Sequence, residues 1–304
     1  MGSYLRLLRP PQWVKNTFVF AAPVFARRIF EPPVLLKTLV VFAAFCLLSS
    51  VVYIINDLAD REEDRLHPRK RLRPIAAGLI SPAPAIVVAV LLLLVSLTLL
   101  FYLSPAALLV GLTYLILMLL YSWTLKHRML IDVITISMGF VLRALAGAVA
   151  IPVAISPWLI TCTFTLCLFL GFSKRRCELA AFADVNQAAL HRPTLLRYST
   201  DLLNHLLSVS AGIAVVTFLL YCMDERTVSS LGTNYLIYTA PLVVYGIFRY
   251  AMLVESGRVS GPTDVVLNDV PFIVTVVSWS ALAVVIVYAG PALESWARRW
   301  LFGL

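Results

Sequence analysis

The residues best suited to chemistry form an acidic cluster directly after an apolar run. Residues 56–64 read Asn-Asp-Leu-Ala-Asp-Arg-Glu-Glu-Asp. On a helix of 3.6 residues per turn, Asn56, Asp57, Asp60 and Asp64 lie within an arc of about 100°. Grouped oxygen ligands suit Mg²⁺, which takes one or two carboxylates and completes its shell with water and substrate phosphates. We therefore predict that these four residues bind Mg²⁺ and that the three aspartates are catalytic.

A solvated, charged helix end is the simpler interpretation of this cluster. Two arguments favour the metal site. Carboxylates at three- and four-residue spacing repel one another unless a cation lies among them. The cluster also ends a long apolar helix, where ionisable groups usually serve a function.

A dense cationic stretch follows the acidic cluster. Residues 65–78 read Arg-Leu-His-Pro-Arg-Lys-Arg-Leu-Arg-Pro-Ile-Ala-Ala-Gly. Contact with lipid headgroups is one explanation for such a run. Its two prolines restrict the backbone, however, so Lys70, Arg71 and Arg73 are well placed to hold a defined anion.

These clusters are joined by apolar segments that belong in lipid. A hydrophobic content of 61% and a mean hydropathy of +0.89 exclude one soluble domain. Apolar runs of about 20 residues span the hydrocarbon core, and the sequence predicts an all-α polytopic fold with one transmembrane domain over 1–304. The predicted spans are 13–27, 35–56, 80–102, 105–122, 132–152, 157–173, 200–222, 234–253 and 270–289, and the polar site loops are 56–79, 121–132 and 173–198.

The distribution of basic residues predicts the orientation. Most of the 25 Lys and Arg residues fall on one side of these spans if the N-terminus is cytoplasmic. No cleavable signal is expected, because Arg6, Arg9, Pro10 and Pro11 stand where its apolar core would lie. No Gly-rich phosphate loop occurs in the sequence, so phosphate chemistry would rely on carboxylates, metal and basic side chains.

Two further basic residues leave alternatives open. Lys126 is either a phosphate ligand or a topological signal. Arg143 lies inside a predicted span, where a charge is costly unless it is paired or faces water. It either makes a buried pair with Asp132 or a carbonyl contact, or it points towards a lipid-borne phosphate.

The first polar motif resembles a known family. Asn-Asp-x-x-Asp-x-x-x-Asp after the second span is similar to the first signature of the UbiA superfamily of membrane transferases. The longer string through His67-Pro68, Lys70-Arg71 and Arg73-Pro74-Ile75-Ala76 to Gly78 resembles one branch, the polyprenyl-phosphate phosphoribosyltransferases, and Arg9-Pro10-x-Gln12-Trp13-x-Lys15-Asn16 extends the resemblance. It implies nine transmembrane helices around a central cavity that opens to the cytoplasm.

The second polar motif distinguishes between branches. Superfamily members that use prenyl diphosphates carry another Asp-x-x-x-Asp after the sixth helix, for a further Mg²⁺. Here the sequence is Ser173-Lys174-Arg175-Arg176-Cys177-Glu178. A basic triplet therefore replaces the leading acid, as in the phosphoribosyltransferase branch, and favours direct contact with a phosphate.

The resemblance implies Mg²⁺-dependent transfer of 5-phosphoribose from phosphoribosyl diphosphate to a polyprenyl phosphate such as decaprenyl phosphate, releasing diphosphate. The residues expected to hold the donor's phosphates are Lys70, Arg71, Arg73, Lys126, Lys174, Arg175 and Glu178, and those expected at the lipid phosphate are Arg9, Lys15 and Arg143. Membrane lipid is a further expected partner, nucleic acid is not, and a homo-oligomer stays open. The implied location is the bacterial inner membrane, with the N-terminus and the site in the cytoplasm.

Two other functions are considered. A prenyltransferase of the same superfamily, joining a prenyl diphosphate to an aromatic or other acceptor, would share the first metal site but would prefer the second acidic motif. An anion transporter would place polar clusters near the membrane midplane, whereas these clusters are predicted at one membrane face.

Overall fold

The computed structural model of this chain is all-α, with no strand among the residues it describes. These are residues 2–66, 70–151, 153, 156–180, 195, 197–257, 259, 265 and 268–302. The α-helices are α1 (Gly2–Leu8), α2 (Ala21–Phe25), α3 (Pro32–Ala59), α4 (Arg61–Leu66), α5 (Pro82–Leu103), α6 (Pro105–Trp123), α7 (Ile131–Ala150), α8 (Pro157–Ala180), α9 (Thr200–Met223), α10 (Glu225–Leu231), α11 (Ala240–Glu255) and α12 (Val270–Phe302). The 3-10 helices are Pro10–Phe20, Lys70–Leu72, Leu125–His127 and Tyr235–Thr239.

Eight helices in the described part of the chain are long and apolar enough to cross a membrane: α3, α5, α6, α7, α8, α9, the stretch Tyr235–Glu255 and α12. They correspond to eight of the predicted spans. Large apolar side chains on α5, among them Ile86, Leu91 and Leu94, are more than half exposed, as lipid-facing residues are. The chain is therefore a multi-pass membrane protein, and the predicted fold class is confirmed.

The first predicted span, 13–27, is not one of these eight long helices. Its residues divide between the 3-10 helix Pro10–Phe20 and the five-residue α2. Arg9 immediately before them adopts a left-handed backbone with φ 54° and ψ 55°. Proline at the start of the 3-10 helix and Pro23 within α2 interrupt the segment.

Polar side chains hold this 3-10 helix against α3. Trp13 Nε1 donates to Ser50 Oγ at 3.1 Å, and Asn16 Nδ2 donates to Ser49 Oγ at 3.2 Å. Asn16 and Ser49 are buried. The segment is therefore fixed by specific hydrogen bonds, which are scarce and valuable where water is absent.

The backbone groups into two compact units. The single transmembrane domain over 1–304 stays a prediction. The first unit is Met1–Pro23, Ile29–Lys126 and Met138–Ala154, and the second is Val24–Arg28, His127–Ser137 and Ile155–Leu304. In the first unit, α3 packs against α5, α6 and the 3-10 helix, with Phe45 and Leu48 in the core. In the second unit, α8 packs along α9, and Phe169 meets Tyr250 of α11 at 5.4 Å between ring centroids.

The helix α12 is 33 residues long and ends in an aromatic pair. The rings of Trp296 and Trp300 stack with an interplanar angle of 7°, and both side chains are exposed.

Candidate active site

The acidic cluster lies at a break between two helices, not on one continuous helix as predicted. The helix α3 ends at Ala59, and Asp60 has φ −90° and ψ 11°. A new helix, α4, begins at Arg61. Asp57 therefore lies in the last turn of α3 and Asp64 in α4, and both are buried.

Arg73 brings two of the predicted metal ligands together. Its Nη1 lies 3.2 Å from Asp57 Oδ1 and 2.6 Å from Asp64 Oδ2. Arg73 precedes Pro74 and a tight turn that contains Gly78 at φ 73°. Because Pro74 and this turn fix the local backbone, the guanidinium is held at the point where the two carboxylates converge.

Two more basic residues complete the neutralisation of the cluster. Arg9 donates to Asp57 Oδ1 and lies over the Tyr53 ring at 4.8 Å. Lys126 Nζ lies 3.3 Å from Asp60 Oδ1. Each predicted catalytic aspartate thus contacts a basic side chain. The charge repulsion inferred from the sequence is real, but cations of the chain itself relieve it.

The backbone of Arg9 is strained. A residue other than glycine at positive φ costs on the order of 1 kcal/mol or more. The ion pair with Asp57 and the stacking on Tyr53 offset this cost. Arg9, predicted at the lipid phosphate, therefore belongs to the acidic cluster in this structure.

The donor atoms of the cluster fit a divalent cation. Asp57 Oδ2 is buried and has no hydrogen-bond partner among the described residues. Its Oδ1 and Asp64 Oδ2 already meet at one cationic nitrogen. Within the described residues no three His, Cys, Asp or Glu side chains group as a complete metal site. Two carboxylates are enough for an ion that takes its other ligands from water and phosphate.

Asn56, the fourth predicted metal ligand, has a clear structural role. Its backbone carbonyl accepts the N–H of Asp60 at 2.9 Å and so closes the last turn of α3. Its side chain is partly exposed beside Asp57. Its role as a metal ligand stays a prediction.

The basic loop is only partly described. Lys70 and Arg71 lie on a single 3-10 turn, where Arg71 is exposed and Lys70 is partly exposed. His67, Pro68 and Arg69, which carry part of the resemblance, lie outside the described residues. So do residues 181–194 of the predicted loop 173–198.

Arg143 makes the carbonyl contact that the sequence left open. Its Nη1 donates to Gly139 O at 2.9 Å, its Nε to Asn16 Oδ1 at 2.7 Å and its Nη2 to Tyr114 Oη at 2.8 Å. The acceptors are a carbonyl, an amide and a phenol, all neutral. Arg143 is buried, so it places a positive charge inside the first unit, where its hydrogen-bond acceptors among the described residues are all neutral.

Lys15 lies within electrostatic range of Arg143 and Arg9. It is partly buried on the 3-10 helix, one residue before the buried Asn16. Like charges gathered in a poorly solvated region attract an anion. This arrangement is compatible with the predicted lipid-phosphate site.

The second polar motif, in the second unit, divides into a buried and an exposed cation. Lys174 is half exposed, and its Nζ lies 3.8 Å from Glu178 Oε1. Arg175 is buried, with Nε 2.9 Å from Asp132 Oδ2 and Nη1 bonded to Glu178 Oε2. Asp132 thus pairs with Arg175, not with Arg143. These contacts favour a structural role for Arg175 over the predicted contact with the donor phosphate.

Tyr198 fixes Asp132 from the other side. Its hydroxyl donates to Asp132 Oδ1 at 3.1 Å and accepts the N–H of Leu130 at 2.8 Å. Leu130 has a positive φ of 66°. Burial raises the pKa of Tyr198 to about 12, and the Asp132 carboxylate acts in the same direction. The hydroxyl therefore keeps its proton at physiological pH. The analysis of the sequence did not single out Tyr198.

An ion pair that the sequence did not predict lies at the start of α12. Arg249 Nη2 and Nε donate to the two oxygens of Asp269 at 2.7 and 3.1 Å, and Asp269 Oδ1 accepts the N–H of Phe272 at 2.9 Å. The hydrogen bonds from Arg249 hold the pKa of the Asp269 carboxyl below its usual value. Asp269 thus caps α12, which is a structural role.

Comparison with known proteins identifies the family. The model of the UbiA prenyltransferase family matches residues 17–268. A decaprenyl-phosphate phosphoribosyltransferase of Mycobacterium tuberculosis is 34% identical over 285 residues, covering 92% of this chain and 93% of that protein. A protein of the same name from Corynebacterium glutamicum is 34% identical over 293 residues, covering 94% and 87%.

The fold is also similar to that of a solved UbiA homologue. A UbiA homologue of Archaeoglobus fulgidus, solved with DMAPP and Mg²⁺, superposes with a TM-score of 0.71 over 95% of this chain and 99% of that one, at 22% identity. Relatives that cover most of the chain carry the name of a transferase. The prediction that the chain is an enzyme is therefore confirmed. The chain belongs to the UbiA prenyltransferase family, as its first polar motif predicted.

Proposed function

We propose that this enzyme transfers the 5-phosphoribosyl group from phosphoribosyl diphosphate to a polyprenyl phosphate, with decaprenyl phosphate as the first candidate. The bond from the anomeric carbon to the diphosphate oxygen breaks, and the diphosphate leaves with the electron pair. An oxygen of the lipid phosphate forms the new bond to the same carbon. The names and coverage of the mycobacterial and corynebacterial relatives support this choice of substrates.

The convergence of the Asp57 and Asp64 carboxylates on the Arg73 guanidinium carries the proposal. Two buried carboxylates, one with an oxygen that has no hydrogen-bond partner in the described part of the chain, form a half-site for a cation whose remaining ligands are the donor's phosphates. We propose that Asp57, Asp60 and Asp64, with Asn56, hold Mg²⁺. The ion, when bound, would neutralise charge on the departing diphosphate.

Basic side chains beside the carboxylates would bind the donor. Arg73 and Lys126 contact the aspartates directly, so an anion bound beside the carboxylates would lie within reach of both. Lys70 and Arg71 of the same unit supply further positive charge from partly exposed and exposed positions. Lys174 stays a predicted ligand of the donor. Arg–phosphate and Lys–phosphate hydrogen bonds are charge-assisted and hence strong.

The acceptor needs no catalytic base. A phosphomonoester has a second pKa near 6, so its oxygens are already anionic at neutral pH. We propose that Lys15 contacts this phosphate, with Arg143 contributing its buried positive charge. The residues then accelerate the reaction by holding two anions in line and by stabilising charge.

We further propose a bacterial inner-membrane location with the N-terminus and the site in the cytoplasm. The concentration of Lys and Arg in one set of loops supports this orientation. A soluble donor made in the cytoplasm and a lipid acceptor would then meet at the membrane face. The oligomeric state stays open.

Purified protein, Mg²⁺, polyprenyl phosphate and ring-labelled phosphoribosyl diphosphate test the proposal. Label is expected in the lipid phase, with diphosphate released in equal amount. A parallel reaction contains a prenyl diphosphate and an aromatic acceptor. Product only in that reaction would replace the proposal with the prenyltransferase alternative.

A further inference from the structure

A chain of polar contacts runs from the interior of the second unit to its surface. It begins at Tyr198, continues through Asp132, Arg175 and Glu178, and ends at Lys174. Tyr198 is buried, and from Asp132 onwards the exposed fraction rises along this order. Asp132 and Arg175 are 0% and 1% exposed in their side chains, Glu178 is 26% exposed and Lys174 is 51% exposed.

The buried end of this chain of contacts is the ion pair between Asp132 and Arg175. Placing an ion pair in the interior rarely adds stability over an apolar pair, because desolvation cancels much of the attraction. Here the pair joins the start of α7 to the end of α8. Tyr198, just before α9, bonds to Asp132 and to the N–H of Leu130 at the start of α7. Such a pair serves best to fix geometry.

Arg175 is well suited to transmit this geometry. Its planar guanidinium reaches Asp132 through Nε and Glu178 through Nη1. A rigid fork of donors holds both carboxylates at once, which a single ammonium cannot do in the same geometry. Lys174 and Glu178 are one helical turn apart on α8, so the position of Glu178 constrains the Lys174 ammonium.

We infer that Asp132 and Tyr198 are positioning residues that act through Arg175 and Glu178 to orient Lys174, and that the Lys174 ammonium binds a phosphate of phosphoribosyl diphosphate. This inference rests on the proposed function for the identity of the donor. It also reassigns Arg175 from a phosphate ligand to a positioning residue.

Tyr198→Phe is the mildest test because only one hydroxyl is lost. The KM for phosphoribosyl diphosphate should rise about 3- to 10-fold while kcat changes less than about 2-fold, since a misplaced ground-state ligand weakens binding. The KM for polyprenyl phosphate should not change. Tyr221→Phe is the matched control, because Tyr221 is also buried in the second unit and packs edge-on against Phe25. A fall in kcat at unchanged KM would indicate only less folded enzyme and would overturn the inference.

Two further variants test the route of the effect. Arg175→Lys keeps the charge but not the fork, so it should raise the KM for the donor as Tyr198→Phe does. A normal KM in Arg175→Lys would show that charge alone matters. The double variant Lys174→Ala/Tyr198→Phe should bind the donor no more weakly than Lys174→Ala alone, because residues in one path are not additive. Additive losses would overturn the proposed route through Lys174.

Direct binding of phosphoribosyl diphosphate, measured by calorimetry on the same proteins, separates this inference from the proposed function. Wild-type protein that binds the donor but transfers no label to lipid would overturn the proposed reaction only, and the Kd series would still decide the inference. Wild-type protein that does not bind the donor would overturn both.

Discussion

Asp57 combines burial, two basic partners on one carboxylate oxygen and, among the described residues, no hydrogen-bond partner on the other. We expect Asp57→Asn to lower turnover by about 100-fold or more, as the loss of a group that stabilises transition-state charge does. Initial rates with labelled phosphoribosyl diphosphate over a Mg²⁺ titration measure this effect. Glu62→Gln is the control, because Glu62 is exposed and, among the residues that the structure describes, pairs with Arg61 and Arg65 and not with the buried aspartates. Near-normal rates for Asp57→Asn at low Mg²⁺ would refute the ligand assignment.

Lys15 allows a second prediction for a single residue. Lys15 lies on the 3-10 helix Pro10–Phe20, within electrostatic range of Arg143. Replacing Lys15 with Gln removes its positive charge from that region. The KM for polyprenyl phosphate should rise about 10-fold, the usual effect of losing one hydrogen bond to a charged group, while the KM for the donor stays constant. Lys37→Gln, at an exposed position of α3, should leave both values unchanged. An altered donor KM with a normal acceptor KM would exchange the two sites.

The sequence predicted a cluster of aspartates but not their partners. Spacing along one segment was sufficient to group Asp57, Asp60 and Asp64. Arg9 and Lys126 contact them from 48 and 66 residues away, and no local pattern encodes such pairs. The same reason explains why Tyr198, 66 residues from Asp132, was missed.

At the scale of helices, apolar runs located eight spans because burial in lipid depends mainly on composition. The break at Asp60 was not foreseen, since residues 57–63 contain neither Gly nor Pro. Ion pairs to Arg73 and Lys126 compensate for the hydrogen bonds that a continuous helix would have kept. Tertiary electrostatics thus overrode local helix propensity at the candidate site.

Gly147 of α7 marks a close helix contact in the first unit. A Cβ at this position would lie 1.9 Å from the carbonyl oxygen of Val19. Gly147→Ala should therefore displace the 3-10 helix and destabilise the protein by about 1 to 3 kcal/mol. Gly212→Ala, where a Cβ meets nothing within 4 Å, should be neutral or slightly stabilising. Thermal unfolding in detergent compares the two, and equal midpoints would contradict the packing argument.

The cap of α12 gives a pH-dependent prediction. The pKa of Asp269 is lower in the folded protein than its usual value. Its stabilising effect is therefore full above about pH 4 and is lost as the pH falls through the folded value. Asp269→Asn keeps a capping oxygen but should lose this acid-dependent component, whereas Asp269→Ala should also lose about 1 kcal/mol from the cap. Thermal unfolding midpoints measured from about pH 3 to about pH 7 test both variants.

For the whole molecule, the proposed orientation places the acidic cluster in the cytoplasm. Glu62 and Ser229 are exposed positions suited to single cysteine substitutions. A membrane-impermeant maleimide should label Glu62→Cys only in inverted vesicles and Ser229→Cys in intact spheroplasts. Wild-type protein corrects for its native cysteines, of which four are buried and Cys162 is partly exposed. The opposite labelling pattern would reverse the topology.

The length of α12 has a consequence for the lipid around the enzyme. At 1.5 Å per residue, its 33 residues extend about 50 Å, against a hydrocarbon core of about 30 Å. Trp296 belongs to the candidate membrane span Val270–Trp296, and Trp300 stacks on it one turn later. Amphipathic indole rings prefer the headgroup region, so this pair fixes how far the helix enters the bilayer. A thicker membrane would draw the indoles inward or reduce the tilt of the helix from the bilayer normal, and a thinner membrane would increase that tilt. Activity in vesicles should accordingly depend on acyl-chain length even when headgroup and substrate are constant.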